Sequence, residues 1–251
     1  MLRRTVTSIC KHKLTFISSQ QYGNKEIKFS GNGLSAWEYF KLGVGLTKTR
    51  FRERDIVASG SRLYAIAAEY PEFSTYLSYF KLPDCYQTWF TMMCIHVWMI
   101  GLRLEDEGLE GRIAKCSMFN MLYNDMKKRG KKFSPDKEHQ FINFQTSQML
   151  YLMVGLDESI VKSSDFLLAD VIWTNVMFQF SEIKDSEVNL VEKMVVYIIK
   201  QLAHLNTLNS EMFLKSGEIS FLPIEGETLN KSYAKERISY CISRPDDVVS
   251  Q

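Results

Sequence analysis

The chain has 251 residues, 45% hydrophobic and 24% charged, with only 5 prolines and 13 glycines. That length holds one substantial domain or two small ones, and the composition is that of a globular protein built from long regular elements. Net charge is +2, but residues 1–25 hold Arg3, Arg4, Lys11, Lys13 and Lys25 and no acid, leaving 26 basic against 29 acidic residues and a body too acidic for a general nucleic-acid binder.

The basic N-terminus also carries Thr5, Thr7, Ser8, Thr15, Ser18 and Ser19 among apolar residues. Basic residues, hydroxyls and no acid favour a mitochondrial presequence over a plain basic tail. A secretory signal needs an unbroken apolar centre, which Lys11, His12 and Lys13 interrupt. Residues 1–33 are therefore expected to be presequence and linker, with roughly the first 25 removed on import.

After residue 33 almost every segment predicts helix. Ser35-Ala36-Trp37-Glu38 is a capping box, with Leu34 and Tyr39 placed for a hydrophobic staple. A second helix is expected over 52–69, halted near Pro71, and a short one over 72–80. Asp84 is a candidate cap, with Gln87 three residues on, for an apolar helix over 85–107. Gly108 and Gly111 punctuate a turn. A helix over 111–129 then stops at Gly130. Ser134-Pro135 restarts a helix whose face is marked by Phe141, Phe144, Gln148 and Tyr151, ending at Gly155.

Ser164 caps a helix over 165–179, with Phe166, Ala169, Trp173, Val176 and Phe180 in helical spacing. Ser186 caps the last long helix, whose stripe is Val191, Val195, Ile198, Leu202 and Leu205. A turn of helix over 210–216 ends at Gly217, and Ile219 to Ile224 is extended. Residues 225–251 read as a poorly ordered tail. The expected fold is all-α: a single irregular bundle of about seven to nine helices over 34–224, around the central apolar helix.

The stretch CIHVWMIGLRLEDEGLEGR, residues 94–112, carries the densest chemistry. Its apolar run from Trp89 to Leu102 spans 14 residues and contains Thr91, His96 and Gly101. A membrane span needs about 20 apolar residues, so an enclosed helix fits better. His96 lacks a glutamate three positions earlier, and HExxH is absent, so di-iron and zinc-protease patterns fail. Glu105, Asp106, Glu107 and Glu110 are awkward at a helix C-terminus, where the dipole disfavours negative charge. They either form a solvated surface or serve the following helix or a basic partner, where they are better placed.

No phosphate loop or Gly-x-Ser-x-Gly elbow occurs. Lys127, Lys128, Arg129, Lys131 and Lys132 put five cations in six positions. They complement a helix C-terminus or contact phosphate on an anionic surface, either RNA or lipid. Cys10, Cys85, Cys94, Cys116 and Cys241 form no CxxC pair, so reduced thiols packed as small apolar groups are expected. Neither a metal nor a cofactor is expected.

Leu82-Pro83-Asp84 with Trp89-Phe90, then His96-Val97-Trp98-Met99, Arg103, and Glu107-Gly108 with Gly111, resembles the ubiquinol–cytochrome c chaperone family in its metazoan form. Asp125-Met126, Arg129-Gly130, Lys200-Gln201, Leu205, Asn209, Gly217-Glu218 and Pro223 extend the resemblance over about residues 52–224. The resemblance implies a helical, non-catalytic chaperone promoting assembly of complex III, peripheral to the matrix side of the mitochondrial inner membrane. It implies a small assembly-factor subunit and newly synthesised cytochrome b as partners. The mitochondrial ribosome follows from fungal members. His96, Trp98, Arg103, Glu107, Gly108, Glu110 and Gly111 are then the candidate partner or client contacts. The acids crowded before Gly108 depart from the mixed charge expected there. The rival class is a helical-bundle enzyme or haem-binding protein of the matrix, although no Cys-x-x-Cys-His occurs.

Overall fold

The computed structural model describes residues 48–133, 135–177, 188–225 and 231–243, and these are helical with short connections. The presequence, the helix expected from Ser35, and the caps at Ser134 and Ser186 lie outside the described residues.

The central helix is α3, Tyr86–Glu105, preceded by α1, Glu53–Glu69, and α2, Phe73–Phe80. Every residue of α3 from Phe90 to Gly101 is buried, as expected of a helix apolar on all sides. Asp84 does not cap it. Cys85 takes the N-cap position, and its thiol lies 3.2 Å from the Thr88 hydroxyl.

Helix α4 runs over Gly108–Phe133 and α5 over Glu138–Val161, with a 3₁₀ turn at Pro135–Lys137 between them. Both pass through glycines that the sequence reads as stops. A Cβ on Gly130 would sit 3.1 Å from the Phe141 ring, and one on Gly155 2.8 Å from Val171. These glycines keep helical backbone and admit a neighbour at close range, so the helices continue.

The chain then forms α6, Asp165–Ile172, which widens into a π-helical turn at Trp173–Met177. Ser164 caps α6 as expected, accepting from Leu167 N at 3.3 Å. The buried residues of this segment are Leu168, Ile172, Val176 and Met177, whereas Phe166 faces out. On α5 the expected face is also turned outward: Ile142, Met149, Leu152, Met153 and Leu156 are buried, while Phe144 and Tyr151 are exposed. Both helices are apolar on two sides, so spacing alone cannot choose the inner one.

Helix α7, Val188–Thr207, buries Val191, Val195, Ile198 and Leu205 of the stripe read from sequence. A π-helical turn, Met212–Ser216, ends at Gly217 with φ of +66°. The C-terminal tail corrects the expectation, because Lys231–Ser243 forms α8 and packs on α1 through Ala234, Ile238 and Cys241. Among the described residues the broadest contact joins α1 to α4. It closes at Gly60, where a Cβ would lie 2.3 Å from Ala114 O.

Candidate functional site

The turn between α3 and α4 is built around a glycine that nothing else can replace. A Cβ on Gly111 would lie 1.8 Å from Leu104 O, so only hydrogen lets the first turn of α4 press against the end of α3. Gly108 makes the corner with φ of +63° in open space.

This corner brings the acids inward. Glu107 Oε1 lies 2.7 Å from Arg103 Nη1, and Glu107 Oε2 accepts from Arg50 Nη2 at 2.6 Å. Glu110 accepts from Arg50 Nε at 2.6 Å and from Phe51 N at 3.0 Å. Arg103 reaches Leu208 O at 3.5 Å, and its guanidinium carbon sits 4.9 Å from the Phe213 ring centroid. Three distant segments, 50–51, 103–111 and 208–213, are thus tied at one point. Burial pushes the Glu107 carboxyl up, but hydrogen bonds with Ser210, Arg50 and Arg103 outweigh it and hold it below its usual range. Arg50 had no signal in the sequence, since its partners lie 57 and 60 residues away.

His96 and Trp98 lie deeper. His96 Nδ1 is 2.8 Å from Met92 O, so this nitrogen donates. Nε2 therefore accepts from the Tyr197 hydroxyl, also at 2.8 Å, and that hydroxyl lies 2.9 Å from Tyr76 OH. Burial lowers the His96 pKa to about 4, partly opposed by the Met92 carbonyl. The imidazole is a neutral link joining α3 to α7 and α2. Trp98 Nε1 donates to Asp157 Oδ1 at 2.7 Å, joining α3 to α5.

The basic run separates into two sets. Arg129 turns inward: its Nε donates to Asp125 Oδ2 at 3.0 Å, and its guanidinium carbon sits 4.2 Å from the Trp89 ring centroid. Tyr64 OH donates to the same carboxylate oxygen at 2.6 Å. Lys128, Lys131 and Lys132 are exposed, and Lys127 is half-buried over the Tyr123 ring. A cavity of about 90 Å³ lies between α1, α4 and α8, lined by Tyr64, Ala65, Met121, Lys128, Cys241 and Ile242 among others. Cys94, Cys116 and Cys241 are buried free thiols. Among the described residues no group of three His, Cys, Asp or Glu could hold a metal ion. No described helix is long and apolar enough to cross a membrane.

Residues 78–221, from the end of α2 past the hub to the segment after Gly217, match the family model described as ubiquinol-cytochrome C chaperone. The chain belongs to the ubiquinol-cytochrome C chaperone family. Ubiquinol-cytochrome c reductase complex assembly factor 1 of Homo sapiens is 26% identical over 177 residues, 70% of this chain and 58% of that protein. The chain thus spans little more than half the length of its human relative. The Xenopus laevis protein of the same name is also 26% identical, over 70% of this chain and 86% of its own. A crystal structure of the Cbp3 homolog from Brucella abortus aligns at 14% identity and a TM-score of 0.49, covering 76% of this chain and 98% of that one.

Of the contacts read for this family member, Gly108 is exposed, and Arg50 beside it holds its guanidinium at the surface. Arg103, Glu107, Glu110 and Gly111 are buried at that corner, while His96 and Trp98 are buried where α3 meets α7 and α5.

Proposed function

We propose that this chain is a non-catalytic chaperone in assembly of mitochondrial ubiquinol–cytochrome c reductase, complex III, and that it receives newly made cytochrome b together with a small assembly-factor subunit. The observation that carries this reading is the family match across residues 78–221, the stretch that contains the hub and the central helix. Relatives named as assembly factors of the same reductase complex support it. The titratable groups fit a non-catalytic role. His96 and Glu107, both shifted from their ordinary values, are taken up in bonds between helices and do not line the cavity under α8.

Location follows from the same reading: the matrix face of the inner membrane, held there peripherally. Lys127, Lys128, Lys131 and Lys132 offer a cationic contact for phosphate on the membrane or on the mitochondrial ribosome. The small subunit is assigned to the rim of the hub, where Asp106, Gly108 and Arg50 reach solvent. Depletion of the protein, followed by native-gel measurement of complex III and capture of labelled mitochondrial translation products, tests the reading. Normal complex III and no captured cytochrome b would refute it. Arg50→Glu reverses the charge at the rim and is expected to release the small subunit, while Lys128→Glu is expected to leave it bound.

A further inference from the structure

Helix α5 is unlike the other long helices in what it shows to solvent. From His139 to Leu156 it has no Lys, Arg, Asp or Glu. Such a run suits a buried helix, yet one side of α5 is open. Phe144 is 55% exposed and Tyr151 70%, and Val154 lies on the same side, seven and ten residues after Phe144. Asn143 is exposed beside them, with Ser147 and Gln148 half-buried between. By contrast, α4 turns its acids Glu110 and Asp125 inward and shows solvent Lys128, Lys131 and Lys132. The uncharged face ends beyond Leu156, where Glu158 and Lys162 form an exposed ion pair, with Val161 and Phe166 exposed nearby at 46% and 79%.

Absence of charge with exposed aromatic residues marks the centre of an interface, because a charged group there would lose water without a partner. The length of the face narrows the choice of partner. Eighteen helical residues rise about 27 Å. A membrane-spanning helix crosses about 30 Å of hydrocarbon on roughly 20 uncharged residues. Such a helix carries no charge over most of its length, so a charge along the face that covers it would go unpaired. The uncharged face of α5 matches it in length and in chemistry.

We infer that the outer face of α5 covers a membrane-spanning helix of a newly made membrane protein before it enters the bilayer. Phe144 and Tyr151 are the principal contacts, with Val154 just beyond Tyr151. This rests on the proposed chaperone function and places its client surface, away from the hub at the α3–α4 corner.

The test places a photoreactive phenylalanine analogue at Phe144 or Tyr151 of the full chain in mitochondria. The same analogue at Val196 on α7 or Tyr240 on α8, both also exposed, serves as control. Mitochondrial translation is labelled during irradiation. The expected result is a labelled membrane-protein adduct from positions 144 and 151 and none from the controls. The double substitution Phe144→Ser with Tyr151→Ser, on exposed positions that leave the helical circular dichroism unchanged, is expected to weaken capture about tenfold, as when aromatic anchors of an interface are removed. Labelled adducts from the controls alone, or full capture by the double variant, overturn the inference and leave the chaperone reading standing. Adducts at 144 and 151 to a second copy of this chain or to an imported protein, with no labelled product, overturn it in favour of a subunit interface. If the unsubstituted protein captures no labelled product either, both readings fall.

Discussion

Arg129 lies over the indole of Trp89, 4.2 Å from the ring centroid, while its Nε donates to Asp125 at 3.0 Å. Within a run of five cations it is the one that belongs to the interior. Arg129→Gln strips a buried carboxylate of its cation and is expected to cost about 3–5 kcal/mol. Lys128→Gln, on the exposed side of the same turn, is expected to change stability by less than about 0.5 kcal/mol. Urea titrations of the two variants make the comparison.

Trp98 fills the core and also serves Asp157. Trp98→Ala is expected to cost about 3–5 kcal/mol. Trp98→Phe keeps most of the apolar volume but leaves Asp157 Oδ1 without its donor, for about 1–3 kcal/mol. A loss under about 1 kcal/mol for the alanine variant would reject a central place for α3.

His96 makes stability depend on pH. Its pKa falls from 6.5 to about 4 on burial, so between those values the unfolded chain takes up a proton that the folded chain refuses. Stability is full above the unfolded value, declines as pH falls through that window, and levels off below the folded value. The whole decline is about 3 kcal/mol. His204, lowered by burial against the Ser220 carbonyl, adds to it in the same direction. His96→Gln is expected to lower stability at pH 7 and to flatten the decline, leaving the part due to His204. Denaturant midpoints at several pH values measure both effects.

Glu107 acts in a lower window. Its folded pKa is depressed, so its contribution is present above the usual carboxylate range and disappears as acid protonates the folded form. Glu107→Gln is expected to cost about 2 kcal/mol at pH 7. The difference from the unsubstituted protein should shrink towards zero at the acid end of the same titration.

The two glycines of the corner are expected to respond unequally. Gly108→Ala meets no atom within 4 Å and pays only for its positive φ, about 1–2 kcal/mol. Gly111→Ala drives a methyl into Leu104 O and must move α4 away from α3. A larger loss of thermal stability in Gly111→Ala, with release of the Arg50 contacts, is the expected outcome.

Patterns that depend on one helix were legible in the sequence: the enclosed α3, the stripe of α7, the Ser164 cap, the stop at Gly217. The outward side of α5 was not, because a helix without charges has no polar face to mark what meets water. Gly130 and Gly155 misled for a related reason. A glycine that ends a helix and one that admits a neighbour look alike until the neighbour is in place. Helix α8 did leave a trace in Ala234, Ile238 and Cys241, three apolar positions at helical spacing inside a polar tail. At the candidate site, sequence supplied Arg103, Glu107, Glu110 and Gly111. It could not supply Arg50, Tyr197 or Asp157, whose partners are distant along the chain.

Helix α8 also bears on the order in which the molecule is completed. Arg237 donates to the carbonyls of Glu69, the last residue of α1, and Tyr70, its C-cap, across 168 and 167 residues of chain. Tyr233 donates to Glu72 across 161. In a chain that emerges N-terminus first, α1 is the earliest described helix to be made, yet its final carbonyls gain their cation only when the last described helix arrives. Contacts this far apart in sequence form late. Until α8 is in place, the floor beneath Cys241 and Ile242, with Tyr64 and Met121 in it, stays open to solvent or to any chaperone that meets the chain.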